Sequence, residues 1–375
     1  MDLRYKITHQ LSYWELNALN QKYDFVIVGA GFCGLYSAYF IAEKHPKAKI
    51  LVLDKQVIGN TASTKNAGFA CFGSAGELLD DINNIGLEQT TKLLEMRLKG
   101  LELMSKIIPA QAMQYQKYGG WEVFSNNELS DFERISQHLD FINLSFKDLL
   151  KSPYTPKAID GQLPHIKKAI FQAAEGELNP YLLMEYLHNA CVKKGIKIIK
   201  GLEVFGIEKT GTYYDVFCSG INFKTKKIII CTNLNKIPNL LPDIKSTPAR
   251  AQVVISEPIS RNLPKGVFHA MAGYTYFRFV DNRLLLGGMR HRHLSAENTE
   301  SLENTDLLCN DLQAYANNLL GVEVALEHRW AGTMAVGENR FPAIGVYNDV
   351  IHGIKMGGMG VAIGAYVGKT ISNYV

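Results

Sequence analysis

The stretch from Tyr23 to Lys55 constrains this chain more than any other. Phe25 to Val28 is a short apolar, β-branched run, the pattern of a strand buried on both faces of a parallel sheet. Gly29, Gly31 and Gly34 follow at the spacing G-x-G-x-x-G. The first glycine allows a tight turn and the second lets the backbone approach a pyrophosphate. The third lets a helix pack close against the strand. A helix expected over 32–43 would point its first amides and its positive dipole end at that pyrophosphate. Ile50 to Leu53 forms a second strand, and Asp54 closes it twenty residues after Gly34. From there its carboxylate can accept hydrogen bonds from both ribose hydroxyls of an adenosine. Strand, glycines, helix, strand and acid in this order indicate a bound dinucleotide, without choosing between NAD and FAD. A glycine-rich turn in some other α/β protein is the plainer alternative.

The chain has 375 residues, 47% of them hydrophobic, which is enough for two domains or one large domain with an insertion. The net charge of +4 is slight and the Lys and Arg residues are scattered, so no nucleic-acid partner is expected. Charges interrupt the N-terminus where a signal peptide needs an apolar core. No run approaches the roughly 20 apolar residues of a membrane helix. The six cysteines form no C-x-x-C pair and several sit in apolar runs, as small buried hydrophobes do. A reducing, cytoplasmic setting follows as an expectation. His291 and His293 alternate after Arg290 and would share one face of a strand, but no third ligand is evident and no metal is expected.

Along the chain, Ser12 and Glu15 have the spacing of a capping box, with Tyr13 and Trp14 placed to anchor that segment on the protein body. The small, polar run 59–70 suits a loop wrapped around a cofactor. Helical periodicity is expected over 78–112, 131–150, 181–194 and 299–319. Strands are expected over 196–199, 213–218, 227–233, 252–256, 274–280 and 283–287, with Asp281-Asn282 as a hairpin turn. A glycine-rich turn over 353–360 opens a last helix over 361–372. The expected division is a nucleotide domain from 1–85, 171–235 and 330–375, and a second domain from 86–170 and 236–329.

Taken in order, these segments resemble the FAD-dependent amine and amino-acid oxidoreductases, the superfamily of D-amino-acid oxidase, glycine oxidase, sarcosine oxidase and γ-glutamylputrescine oxidase. The resemblance rests on Gly29 to Gly34, Ala62 to Gly68, Gly176 to Pro180, Cys231-Thr232-Asn233, Tyr276-Phe277-Arg278, Arg283 to Gly288, Trp330-Ala331-Gly332, Phe341 to Gly345 and Gly357 to Gly360. The aromatic extension ending in Ser12-Tyr13-Trp14 is most similar to the γ-glutamylputrescine oxidase branch. The fold implied is α/β, with a Rossmann-like FAD-binding domain of the glutathione-reductase type and a second, sheet-based substrate domain. By the same resemblance Gly29, Gly31 and Gly34 would hold the FAD pyrophosphate, with Phe32 and Cys33 in the same turn. Asp54 would hold the adenosine ribose, and Lys55 would sit by the adenine. Thr61, Ala62, Ser63 and Thr64 would line the pyrophosphate and ribityl chain. Lys65, Asn66, Ala67 and Gly68 would run beside the flavin, and Gly332 would also belong to the cofactor site. Val204 would meet the adenine edge, and Thr232 and Asn233 the phosphates. Gly357, Gly358, Met359 and Gly360 would set amides and a helix N-terminus at the flavin N1–C2=O end.

The activity implied is hydride transfer from the Cα of a neutral amine or amino acid to flavin N5, giving an imine that water hydrolyses. Oxygen or another acceptor would take the electrons. Arg278, Arg290, Tyr274, Tyr276 and His269 are the substrate-site candidates, because a guanidinium can grip a carboxylate through two parallel bonds. For Arg278 the plainer role is a structural pair with a carboxylate such as Asp281. Trp121 fits the core better than a substrate cage. Thr333 and Met334 stand where some relatives attach flavin through cysteine, so FAD is expected to be non-covalent. No arginine follows Trp330-Ala331-Gly332 as in glycine oxidases, which weakens a simple α-amino acid as substrate. The alternatives are a 2-hydroxy-acid or glycerol-phosphate type dehydrogenase, with His269 as its base, and a flavin-binding partner protein without activity.

Overall fold

The computed structural model describes residues 11–57, 62–159, 163–234 and 240–375. Among the described residues two eight-stranded sheets and one small two-stranded sheet carry the fold.

In the first sheet Lys22–Val28 is central, with Ile50–Asp54 and then Lys197–Lys200 on one side. Ile221–Ile230, Val350–Ile354 and Ala343–Tyr347 lie on the other. All of these neighbours pair in parallel except the last two, which form a hairpin. Val204–Thr210 and Tyr213–Cys218 extend Ile221–Ile230 as an antiparallel meander. The chain leaves Lys22–Val28 toward one side and later returns on the other, so a crevice opens at Val28, the switch point where ligands of such sheets bind. Val26, Ile27, Leu51, Val52, Ile228 and Ile229 are wholly buried, as the apolar runs require.

The second sheet runs in the order Leu326–Val336, Thr247–Ser256, Arg283–Gly288, Thr275–Val280, Val267–Ala270, Gly120–Phe124, Lys168–Gln172 and Tyr154–Pro156. Only Val267–Ala270 and Gly120–Phe124 pair in parallel. The turn at Asp281-Asn282 has positive φ at both residues, 49° and 58°, the mirror-image geometry that matches strand twist. Phe69–Ala70 pairs with Gly176–Glu177 as the small sheet between the two large ones.

Several expected elements take a different form. The expected helix over 78–112 is a helix over Ala75–Ile107, capped by Ser74 and Glu77, followed by a short 3-10 turn. Gly86 breaks it with φ 80° and ψ 160°. Met104, Ile108 and Met113 pack in the core of the first sheet, although the sequence division put 86–170 outside the nucleotide domain. The run 131–150 divides at His138 into Leu129–Gln137 and Leu139–Ser145. The helix expected from 299 starts at Asp306 and ends on left-handed Gly321. Gly353 lies within a strand, and the last helix is Gly360–Ile371. Ser12 and Glu15 do form a capping box on the helix Tyr13–Leu19. Tyr13 and Trp14, however, are 68% and 77% exposed and do not anchor the segment on the described residues. Among the described residues no helix is long and apolar enough to cross a membrane.

Candidate functional site

The glycine turn closes on its neighbours as the fingerprint requires. Gly29 has φ +105°, and a Cβ on Gly34 would stand 1.8 Å from the Gly29 carbonyl oxygen. Only a bare Cα fits between strand and helix there. The Ala30 amide donates to Asp54 Oδ2 at 2.6 Å and the Gln56 amide to Oδ1 at 2.8 Å. Asp54 therefore ties its strand end to the turn, with lone pairs left on each oxygen for a ribose diol. Leu202 donates its amide to the Asp54 carbonyl at 2.9 Å, which brings Val204 alongside. Lys55 is exposed at the same strand end.

The remaining cofactor candidates converge on this crevice. Ala62–Lys65 is a single helical turn whose Ser63 Oγ accepts the Phe32 amide at 3.0 Å. Thr64 belongs to that turn, and Thr61 lies outside the described residues. The Asn66 side chain caps the turn and accepts the Gly68 amide at 2.9 Å. Trp330 Nε1 donates to the Lys65 carbonyl at 3.0 Å, and Gly332 packs against Lys65 and Ala62. Cys231 donates its amide to Val28, so Thr232 and Asn233 emerge beside the glycine turn. Asn233 Nδ2 donates to the Thr333 carbonyl at 3.3 Å. Cys33 is buried with its sulfur 3.4 Å from that of Cys231. A Cβ on Gly360 would stand 3.8 Å from Phe32 and one on Gly358 3.7 Å from Met334, while one on Gly357 would meet nothing within 4 Å. Gly357 to Gly360, Met359 included, thus leave room beside a helix N-terminus whose first amides have no partner within the helix. Bare turn, acid at the strand end and open helix start together fit a dinucleotide.

Beside Ala67 stands an apolar wall of Phe69, Ile255, Tyr276 and Trp330, each partly exposed, over buried Val253 and Leu285. Phe69 meets both Tyr276 and His269 edge-on, with ring centres 5.8 and 5.5 Å apart. Burial pushes the Tyr276 phenol up to about 12.

The other substrate candidates are placed differently. Arg278 is buried; its Nη2 donates to the Leu178 carbonyl at 3.0 Å, and its Nη1 lies 3.8 Å from Glu177 rather than on Asp281. Burial lowers the Arg278 pKa and raises that of Glu177, each partly offset by the partner. Arg290, His291 and His293 lie on a 3-10 turn and not on a strand, because the chain turns through left-handed Met289. Arg290 donates to Asn298, and Tyr274 is half-exposed against His291. Trp121 is partly buried and packs on the second core.

His269 points into the interior, 6% exposed, beside Cys71 and Glu175. Burial works against its charged form, but hydrogen bonding to Cys71 and Glu175 outweighs it and holds the imidazole well above its usual value. Behind it lie Glu122, raised by burial to about 7, and Glu77, where Arg97, Arg340 and His269 overcome burial and keep the carboxyl low. Periodicity could not find this polar layer. Only the Ser74-to-Glu77 capping spacing marks it in the sequence.

Residues 24–374 match the family of FAD dependent oxidoreductases designated DAO. The chain belongs to that family. It is an FAD-dependent oxidoreductase with the family's FAD-binding and substrate domains. It is 25% identical to the probable oxidoreductase OrdL of Haemophilus influenzae, over 94% of this chain and 82% of that one. L-Proline dehydrogenase from P. horikoshii superposes with a TM-score of 0.74 at 18% identity, covering 95% of this chain and 93% of that one. L-α-Glycerophosphate oxidase from Mycoplasma pneumoniae, a structure with FAD bound, gives 0.71 at 17% identity and 94% of each chain. At such identities the two structures speak for the fold alone.

Proposed function

We propose that this chain oxidises the C–N bond of a small amine or amino acid, with non-covalently held FAD taking the hydride. The observation that carries this reading is the orientation of His269. It faces the interior behind the Phe69 ring, so it is not presented as an open base at the apolar wall. An alcohol needs a base to remove its proton as hydride leaves, whereas an amine can enter already neutral. The fit of Thr333 and Met334 at the segment where some relatives carry a cysteine supports a non-covalent cofactor.

In this reading Gly29, Gly31 and Gly34 with the fingerprint-helix N-terminus hold the pyrophosphate, and Asp54 the ribose. Ser63 and Asn66 brace the loop on which Ala67 and Gly68 border the ring system. Bound FAD supplies the hydride acceptor. The amides of Gly357 to Gly360 would help to hold the cofactor and to offset negative charge gained on its reduction. Phe69, Tyr276, Ile255 and Trp330 exclude water and favour the uncharged amine, aligning its Cα–H bond. Arg278 braces the loop at Leu178 and Glu177 rather than opening to a substrate.

The test is anaerobic addition of amines, amino acids, 2-hydroxy acids and glycerol phosphate to the FAD-loaded protein while following the flavin spectrum. Bleaching by an amine or amino acid is expected, and admission of air then separates an oxygen-using enzyme from one with another acceptor. Bleaching by a hydroxy acid or glycerol phosphate alone would overturn the amine reading.

A further inference from the structure

Cys71, Glu175 and His269 form a buried group that neither the cofactor crevice nor the apolar wall uses. One side-chain donor atom from each lies within 4.8 Å of the other two. Cys71 follows the strand Phe69–Ala70, Glu175 precedes its partner Gly176–Glu177, and His269 belongs to Val267–Ala270 of the second sheet. The three are 6%, 1% and 6% exposed.

Four features mark a cation site. His269 Nε2 and Glu175 Oε2 are 3.4 Å apart, long for a bond between charged partners, which is about 2.7–2.9 Å. Two donors each about 2.05 Å from a tetrahedral ion lie about 3.4 Å from one another. Second, the other carboxylate oxygen, Glu175 Oε1, accepts the Phe72 and Gly73 amides at 3.0 and 3.3 Å. Those bonds orient the carboxylate from outside, as the partners of metal ligands do. Third, a cavity of about 10 Å³ adjoins Glu175 and His269, lined also by Glu122 and Ser74, with room for one water. Fourth, among the described residues Glu175 is buried with no Lys or Arg within ion-pair distance, its one charged partner being His269 itself. Buried carboxylates are normally paired or bound to metal.

We propose that Cys71, His269 and Glu175 bind one divalent transition ion of the zinc class, with a water in the adjoining cavity as the fourth ligand. A thiolate and a carboxylate together neutralise the ion. Binding displaces the Cys71 thiol proton and any second proton on His269 to solvent, and nothing is oxidised or reduced. The ion joins the small sheet to the second sheet directly behind Phe69, so its role is structural.

The test is metal analysis of the FAD-loaded full chain prepared without chelator, which requires no turnover. About one equivalent per chain is expected. Cys71→Ser and His269→Gln should each reduce it to background, while the double variant His291→Gln/His293→Gln should keep it. Should the core variants fail to fold, cobalt exchange into the wild type decides. A four-coordinate thiolate site gives intense d–d bands to the red of the flavin absorption. Wild-type protein that carries no metal and takes up neither Zn²⁺ nor Co²⁺ overturns the proposal. So does metal that persists in Cys71→Ser and leaves with the His291/His293 pair, which would be a surface ion beside Asp311.

Discussion

Replacing Gly34 by Ala should break the cofactor crevice from within. The added Cβ would stand 1.8 Å from the Gly29 carbonyl oxygen, against about 3.3 Å for close carbon–oxygen contact. Strand turn and helix must therefore separate by about 1.5 Å. The oxygen cannot swing aside, because Gly29 donates its amide to Leu53 at 2.7 Å and lies against the Cys231 carbonyl. Forcing one methyl into such a contact costs about 1–3 kcal/mol, a change of about 5- to 150-fold in the folding equilibrium. Urea unfolding of the flavin-free protein measures that cost, and flavin retained after desalting measures the displaced pyrophosphate turn. Gly211→Ala is the control: φ is +62° there with open space around it, so strain of about 1–2 kcal/mol should appear with full flavin retention. An unchanged urea midpoint together with a full complement of flavin in Gly34→Ala would refute the reasoning.

Two further outcomes follow from particular contacts. Glu297 is wholly buried and bound by Arg250 through two bonds of 2.8 Å and by Gln252, so Glu297→Ala should cost about 3–5 kcal/mol by leaving the buried Arg250 charge without its carboxylate, with only backbone carbonyls to accept from it. Burial alone would raise the Glu297 pKa, but those bonds outweigh it and hold it below the usual value. The stabilisation is therefore complete above the unfolded value, about 4.3, and lost as pH falls through the lower folded value. Urea midpoints against pH should lose that acidic slope in the variant, and an unchanged slope would assign it elsewhere. Trp330→Phe keeps the ring but deletes the bond to the Lys65 carbonyl, so flavin affinity should fall by about tenfold or less with the fold intact. Equal affinities by flavin titration would remove Trp330 from the account.

The nucleotide half was legible because its signals are local. Gly29 to Gly34 and Asp54 sit within one strand–helix–strand unit, and the Asp281-Asn282 turn is defined by two adjacent residues. Arg290 to His293 show how alternation misleads: the two-residue period suits a strand, yet Met289 at φ 59° turns the chain into a 3-10 helix. The start of the helix at Asp306 is similar, since Thr305 is held by Gln252, 53 residues away. The polar layer around His269 was out of reach for the same reason, its partner Glu175 lying 94 residues off. Exposure of Tyr13 and Trp14 depends on what surface lies beneath them, which residue type alone does not say.

The 33-residue helix Ala75–Ile107 belongs to both cores. Leu78, Leu79 and Leu94 pack with Phe124, Ile135 and Phe146 under the second sheet, while Met104 packs under the first and Leu101 touches both clusters. It acts as a splint across the two sheets, and swinging one against the other would require bending it or unpacking one of its ends. Access to the crevice is therefore a matter of loops rather than of jaws, and mechanical strain applied at either sheet would be delivered to the other through the unbroken segment 87–107, which sets Leu94 at one sheet and Met104 at the other beyond the break at Gly86.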